Sequence, residues 1–536
     1  LITLSAEEAA RALGVAAFPT PVRRVSLDTR SLVPGDVFVA LRGERTDGHQ
    51  YVEEAFRRGA ATAVVEQDWL ESSPPLAGIV RVADTRRALG AFARAMREKS
   101  GCRVIAVTGS VGKTGTKDLI AGMASREKRV VATRANENNE VGVPLTLLRL
   151  ESNTECAVLE MGMRGLGEIA RLAEIAQPDV GVITAVAPVH LELLGSLESI
   201  AQAKAEIIEG LPGHGVGVIP AGVPLLEERL RGAAGRSVVR FCLNRSGVAP
   251  GTGQEAPGKG EAAHAEARGR ASGGSIPGEV EVVGTLSAPE GSGPVFHVSW
   301  PGGRVSMPPP FRALHRLENV VCAAAACYAA GLPLETCLMG LGEIPLTGGR
   351  GEDHRVAGVV VIDDSYNANP VAVVGALGDL VAGCRAEGGR SVAVLGDMLE
   401  LGGQAAAYHY RVGAFAARLG VECLCGVGSL SAHTVAGYSD QREGRAGAGT
   451  SLDGADMEDV VGRAMRSALA RVADGGEPVR GRAALCATAE EGLDDIMQLV
   501  QEGDHVLVKG SRGMQLEVIV KSLLARLSSA GSDMRT

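Results

Sequence analysis

The stretch Val104-Ile-Ala-Val-Thr-Gly-Ser-Val-Gly-Lys-Thr-Gly-Thr-Lys117 decides the fold class. An apolar, β-branched run that reads as a buried strand breaks at a glycine-rich turn, and a helix-capable stretch follows. That order builds a phosphate cradle. Gly109 and Gly112 let backbone N–H groups converge on oxyanions, Lys113 adds a mobile positive charge, and Thr114 offers a hydroxyl to Mg²⁺. The common phosphate-loop pattern carries a further glycine six residues before the lysine. Val107 stands there, so the cradle is the shorter form Thr108-Gly-Ser-Val-Gly-Lys-Thr114, followed by Gly115. Alone, it points to a binder of a nucleoside triphosphate and leaves the fate of the phosphoryl group open.

Outward from this loop, strand-like runs recur at Ala157–Leu159, Val180–Ile183 and Val216–Ile219, with helix-like segments between them. Such alternation predicts a doubly wound, mostly parallel sheet. Upstream, residues 1–101 read as a small α/β unit, with a strand at Pro34–Leu41, a helix over Tyr51–Gly59 and a longer helix over Thr85–Glu98. Downstream, residues 350–536 restart the rhythm with strands at Val359–Ile362, Ser391–Leu395 and His505–Val508, a Rossmann-like unit without a glycine-rich dinucleotide fingerprint. The expected architecture is therefore α/β in three domains, 1–101, 102–349 and 350–536. Two stretches break the pattern. Residues 245–280 are rich in Gly, Ala, Glu and Ser and cannot bury enough apolar surface to order themselves, which predicts a mobile insertion. Residues 438–456 read as a loop. Glu279–Val283 and Val295–Ser299 alternate like antiparallel strands.

Composition narrows the function. The chain has 536 residues, a net charge of −9 and 3% aromatic residues, which argues against nucleic acid as the main partner. Ten cysteines are scattered, mostly in apolar surroundings, and Cys423-Leu-Cys425 lacks the spacing of a zinc or redox pair. Buried thiols in a reducing compartment are expected. Leu1–Glu8 does not read as a secretory signal, and no run of about 18 apolar residues offers a membrane span, so a cytoplasmic setting is expected.

Five polar clusters surround the cradle in sequence order. Asn136–Pro144 is a polar patch, and Asn138 lies within it. Glu160 ends a strand, where open α/β sheets place their ligands. His190 trails the next strand, Lys204 sits on a helix, and Asp363-Asp-Ser-Tyr-Asn-Ala-Asn-Pro370 follows the first strand of the last unit. Each has a purely structural alternative, since strand-end carboxylates, surface lysines and Asn-Pro turns are common.

Taken together, these clusters resemble the Mur ligase family of ATP-dependent amide-forming enzymes. The segments Glu160–Glu168, Asp363–Pro370, Leu395-Gly-Asp-Met-Leu-Glu-Leu-Gly402 and Val508-Lys-Gly-Ser-Arg-Gly513 resemble the branch that adds D-alanyl-D-alanine to a UDP-muramoyl tripeptide. Asp28-Thr-Arg30 and Asp47-Gly-His49 are similar to the family's UDP-sugar unit. The resemblance implies roles. The loop residues Thr108, Gly109, Ser110, Val111, Gly112, Lys113, Thr114 and Gly115 would bind ATP, together with Asn319, Arg350 and Asp364. Lys113, Glu160, His190 and Lys204 would carry catalysis, and Thr114, Glu160, His190 and a carbamylated Lys204 would hold two Mg²⁺. Thr29, Arg30, Asp47, His49, Asn138, Tyr366, Asn367, Asn369, Lys509, Ser511 and Arg512 would contact the substrates. A monomer is implied.

The chain departs from the family at Ala313-Leu-His-Arg-Leu-Glu-Asn319, where Arg316 replaces an asparagine, and at Ala185 and Ala187. Three rivals remain: the sister ligase adding the third amino acid, a folylpolyglutamate-synthase-like ligase, and a non-catalytic nucleotide-dependent interaction protein. The Asp-Asn-Pro-Arg run of diaminopimelate-adding members is absent.

Overall fold

The computed structural model describes residues 2–43, 46–69, 76–231, 237–246, 280–287, 293–445, 460–472 and 482–533. Its strands form three sheets. The first contains β1 (Val25–Ser26), β2 (Val37–Val39), β3 (Thr62–Glu66) and β4 (Ile79–Val82), parallel and in sequence order. The second contains β5 (Arg103–Thr108), β6 (Val130–Ala132), β7 (Cys156–Glu160), β8 (Val180–Ile183), β9 (Val216–Pro220), β10 (Ser237–Ser246), β11 (Val280–Ser287), β12 (Val295–Trp300) and β13 (Gly303–Met307). Its spatial order is β13-β12-β11-β10-β9-β8-β5-β7-β6, parallel from β6 to β11 and antiparallel beyond. The third contains β14 (Glu352–Val356), β15 (Val359–Asp364), β16 (Ser391–Gly396), β17 (Cys423–Val427), β18 (Arg482–Cys486) and β19 (His505–Lys509), ordered β14-β15-β19-β16-β17-β18.

Strand β5 shows how the pattern specifies the layers. Its residues alternate between two cores: Val104 and Ala106 face one side, Ile105 and Val107 the other. The first side packs Leu89, Phe92 and Ala93 of helix Thr85–Ser100 and continues into Val64 of the first sheet. The second packs Leu119 and Ile120 of helix Lys113–Ala124 with Val320 and Ala324 of helix Leu314–Ala329. The first sheet and the central sheet therefore share a core. Helix Thr85–Ser100 is capped at both ends, by the Asp84 carboxylate accepting from Arg86 and Arg87 N–H and by Gly101 at φ +64°.

Three sequence expectations need correction or lie out of reach. Val359–Ile362 belongs to the second strand of its sheet rather than the first. The polar β14 precedes it and pairs antiparallel with β15. The stretch expected to loop from 438 is helical through Arg442, because buried Tyr438 donates its hydroxyl to the Val421 carbonyl at 2.7 Å and pins helix Ser431–Arg442. The insertion expected at 245–280 lies outside the described residues from 247 to 279, as does 446–459 of the second low-complexity stretch. All ten cysteines are free, and nine are buried. Among the described residues, no helix is long and apolar enough to cross a membrane.

Candidate active site

Strand β5 lies between β7 and β8, so the chain leaves it at a topological switch point, where doubly wound sheets open a crevice. The phosphate loop lies there. Gly109 has φ +148°, and a Cβ on it would stand 1.9 Å from Thr184 Oγ1. Gly112 has φ +84° and caps helix Lys113–Ala124, with Asn319 Oδ1 2.5 Å from where its Cβ would be. The loop is held from behind. Ser110 N–H donates to the Ala185 carbonyl at 2.9 Å, and its hydroxyl donates to the Ala187 carbonyl at 3.0 Å and accepts from Ala187 N–H at 2.9 Å. Val111 lines the cleft at the tip of the loop, and its carbonyl accepts from the Thr184 hydroxyl. The Thr108 hydroxyl is buried without a hydrogen-bond partner among the described residues.

A cleft of about 1250 Å³ opens over this loop. Lys113, Thr114, Asn138, Glu160, His190 and Asn319 line it from the central sheet, and Arg350, Asp364, Tyr366, Asn367, Asn369 and Lys509 from the side of the third. Glu160 is buried and fully engaged. Its Oε2 accepts from the Thr114 hydroxyl at 2.7 Å, its Oε1 from Asn138 Nδ2 at 2.8 Å, and its own N–H donates to Thr133 Oγ1 at 2.9 Å. Lys113 reaches back to the Gly109 carbonyl at 2.7 Å. Burial lowers its pKa, Glu160 opposes, and the nearby Arg350 charge lowers it further. The Arg350 guanidinium stacks 4.0 Å from the Tyr366 ring centroid, and its Nε is buried with no hydrogen-bond partner among the described residues. A half-buried lysine and a stacked arginine with an idle donor fit an anionic ligand.

Lys204 is 1% exposed and does not line the cleft. Burial holds its pKa well below the usual lysine value, and the Lys113 charge acts in the same direction. Among the described residues it makes no hydrogen bond or ion pair. His190 stands at φ +54°, unusual for a residue with a Cβ, and its Nδ1 contacts Glu400 Oε2 of the third unit. Burial lowers its pKa, Glu400 opposes, and Lys113 and Lys204 add to the lowering. Four groups that are far apart in sequence thus share one electrostatic neighbourhood.

The other sequence candidates divide. Asp364 pairs with Lys509 at 2.6 Å, and Lys509 also donates to the Asn367 carbonyl at 3.0 Å. Asn369 caps helix Pro370–Glu387, accepting from Ala372 N–H at 3.0 Å. Arg512 donates to the Tyr366 hydroxyl at 2.9 Å but does not line the cleft. Ser511 is buried, accepting from Leu399 N–H at 2.9 Å. In the first unit, Thr29 is buried in a short helical turn, and Arg30 forms a two-pronged pair with Asp28. Asp47 accepts from His49 Nδ1 at 2.7 Å, and His49 Nε2 accepts from Glu66 N–H at 3.0 Å, so both ring nitrogens are engaged. None of these four first-unit residues lines the cleft.

Sequence reasoning missed the supports. Asp118 accepts from both the N–H (2.9 Å) and the hydroxyl (2.8 Å) of Thr347, tying the phosphate-loop helix to the segment that leads to Arg350. Arg316, which had stood out only as a departure from the family pattern, donates to the Arg350 carbonyl at 2.7 Å. His315 Nδ1 meets Asp379 across the units at 3.0 Å. His315, Arg316 and Glu400 lay within segments already quoted, Glu400 with no role attached.

The sheet order and the cradle at its switch point define a phosphate-loop α/β protein with two flanking units. Comparison with known proteins sharpens this. The Mur ligase middle domain matches residues 107–327, the Mur ligase glutamate ligase domain matches 349–512, and the Mur ligase family catalytic domain matches 21–97. The chain is 31% identical to a UDP-N-acetylmuramoyl-tripeptide–D-alanyl-D-alanine ligase of Bacillus subtilis, over 94% of both chains. It is 33% identical to the ligase of the same name from Escherichia coli, over 76% of this chain and 81% of that one. A crystal structure of MurF from Acinetobacter baumannii superposes with a TM-score of 0.75 at 26% identity, covering 98% of this chain and 99% of the other. The chain belongs to the Mur ligase family.

Proposed function

We propose that the chain joins D-alanyl-D-alanine to a UDP-N-acetylmuramoyl tripeptide, consuming ATP and releasing ADP and phosphate, a step of peptidoglycan precursor synthesis in the cytoplasm. The observation that carries this reading is the 31% identity to a ligase of that name along 94% of both chains.

The chemistry explains why such a site needs both a phosphate cradle and clustered cations. A carboxylate does not react with an amine at neutral pH, because oxide is a very poor leaving group. Transfer of the γ-phosphoryl of ATP to the carboxylate gives an acyl phosphate and ADP. The amine then attacks the acyl carbon, loses a proton and expels phosphate. Two anions must be brought together first, and positioning with cationic groups supplies most of the catalysis in such transfers.

The residues of the cleft divide this work. Backbone N–H groups from Gly109 to Gly115 hold the phosphates, Lys113 offsets β/γ charge, and Arg350 with Asn319 completes the nucleotide site. Among the described residues, no cluster of three His, Cys, Asp or Glu could hold a metal by itself. The Thr114 hydroxyl and Glu160 carboxylate nevertheless fit Mg²⁺, which takes one or two protein oxygens and the rest from phosphate and water. Bound there, Mg²⁺ would neutralise charge on the β/γ oxygens. An ammonium cannot ligate a cation, so Lys204 fits a second such site only as a carbamate. Its burial favours the neutral amine that reacts with CO₂. In this reading residues 1–101 hold the sugar nucleotide, 102–349 hold ATP, and 350–536 deliver the amine past Asp364, Tyr366 and Asn367. Closure over the cleft would keep water from the acyl phosphate.

The test is phosphate release by the purified chain with ATP, Mg²⁺ and the UDP-muramoyl tripeptide, with candidate amines compared. Release that rises only with D-alanyl-D-alanine supports the reading. Release indifferent to that dipeptide overturns it.

A further inference from the structure

Among the described residues, the side-chain hydrogen bond from the third unit to His190 comes from Glu400, 210 positions further along the chain. Both residues occupy the left-handed region, His190 at φ +54° and Glu400 at φ +63°. For residues with a Cβ this conformation is costly and persists only where the surroundings over-determine it. Here both chains are fixed. Glu192 N–H donates to the Glu400 carbonyl at 3.3 Å, and a Cβ on Gly402, itself at φ +56°, would stand 3.2 Å from Glu192 Cα. The two turns therefore touch backbone to backbone.

The Glu400 turn is anchored within its own unit. Met398 N–H donates to His409 Nε2 at 2.9 Å, Leu399 N–H to Ser511 Oγ at 2.9 Å, and Ser511 N–H to the Asp397 carbonyl at 3.1 Å. The carboxylate is thus held out from a braced turn and meets one ring nitrogen. His190 Nε2 has no protein partner among the described residues, and the side chain lines the cleft beside Lys113 and Glu160. A carboxylate that accepts from one ring N–H fixes the tautomer and makes the other nitrogen a better base or ligand.

We propose that Glu400 is a positioning residue: it accepts a hydrogen bond from His190 Nδ1–H and so presents the Nε2 lone pair to the cleft only when the third unit is docked. The proposal rests on the ligase reading for its effect on turnover, but the contact itself is testable without turnover. Docking of the amine-delivering unit and readiness of the imidazole then become one event, which would restrain acyl phosphate formation in an open molecule.

Four chains are used: the parent, Glu400→Gln, Glu400→Ala and, for assignment only, His190→Gln. The first readout is the ¹⁵N spectrum of ring-labelled histidines, with the His190 signals assigned by their loss in His190→Gln. The parent is expected to show the Nδ1–H tautomer at His190. Glu400→Gln, whose amide oxygen still accepts, should retain it, and Glu400→Ala should lose it. The second readout is steady-state phosphate release. Glu400→Ala should lower kcat about 10–100-fold, the scale seen when such an outer carboxylate is removed, with KM for ATP and dipeptide changed less than about threefold. Glu400→Gln should recover most of that loss. An unchanged His190 tautomer in Glu400→Ala overturns the proposal, and so does a loss that falls on KM rather than kcat. Should the parent ligate no amine at all, the ligase reading fails, and the ring-nitrogen spectrum still decides the contact.

Discussion

The Thr114 hydroxyl donates to Glu160 Oε2 at 2.7 Å, bridging the first turn of the phosphate-loop helix and the end of strand β7. The bridge follows from sheet register. Val107 on β5 pairs with Glu160 on β7, so the loop leaving β5 turns over the Glu160 carboxylate. Asn138 fills the other oxygen at 2.8 Å. Hydroxyl and carboxylate oxygens therefore lie side by side, and both are of the kind a hard cation takes as ligands.

Glu160→Gln keeps this shape and removes the charge. The amide oxygen can still accept from one of the two donors, so the variant should stay folded, with a melting temperature within a few degrees of the parent. Phosphate release should fall by about a hundredfold to a thousandfold, the usual cost of losing one electrostatic stabiliser at a transition state. Thermal melts and phosphate release on the same preparation check both halves. A variant as fast as the parent would remove Glu160 from the chemistry.

Lys204 makes a separate demand. Burial pushes the Lys204 pKa well down, towards the neutral amine that adds CO₂; the charged form is inert to it. Activity assayed in CO₂-depleted buffer should fall about tenfold or more, the scale of losing a group at a ligand site, and should return when bicarbonate is added. Lys204→Ala should be slow in both buffers. A parent indifferent to bicarbonate, with no carbamate carbon in a ¹³C spectrum, would leave Lys204 as a buried amine only.

How far the sequence reached depended on distance along the chain. The phosphate loop was legible because strand, Gly109, Gly112 and Lys113 form one short run whose geometry is local. Glu160 was legible because a carboxylate closing an apolar run marks a strand end facing the ligand side. Strand β14, Glu352-Asp-His-Arg-Val356, was not, because an edge strand needs no apolar alternation. His49 and Asn369 were read as substrate groups, and the structure also engages each with a backbone group, Glu66 N–H and Ala372 N–H; the first of these pairings is not announced by any side-chain pattern. The contacts that join the units, such as His190 with Glu400 and His315 with Asp379, span 210 and 64 positions, and nothing local encodes them.

The glycines of the loop should differ in what they tolerate. At Gly109 a Cβ meets Thr184 Oγ1 at 1.9 Å and two backbone nitrogens at about 3 Å. At Gly112 the nearest atoms belong to the Asn319 amide, whose tip can swing aside, so the +84° backbone angle is the main cost there. Gly109→Ala should therefore lower stability by about 1–3 kcal/mol, through overpacking and a backbone angle that side chains avoid. Gly112→Ala should melt closer to the parent and lose nucleotide affinity, because the N–H groups around it move. Urea midpoints and titration with a fluorescent ATP analogue separate the two effects. The reverse ranking in stability would contradict the packing described here.

His409 sets an acid limit on the turn that carries Glu400. Both its nitrogens are committed, Nδ1–H donating to the Ala405 carbonyl at 2.7 Å and Nε2 accepting from Met398 N–H at 2.9 Å. Only the neutral ring satisfies both. Burial holds its pKa below the usual value of 6.5, and the Ala405 carbonyl and the Asp397 charge oppose without prevailing. The sign follows. Below pH 6.5 the unfolded chain binds a proton that the native ring resists, so this group's contribution is present above 6.5 and is lost as pH falls towards the depressed native value. The loss is at most about 1.4 kcal/mol per pH unit over that window. His409→Gln can keep the donor to Ala405 and the acceptor for Met398 and has no proton to gain. The parent should therefore lose stability between pH 7 and 5 faster than His409→Gln, read as the difference between their urea midpoints across that range. Parallel curves would mean that the native ring accepts the proton freely and that the Met398 turn does not depend on its neutrality.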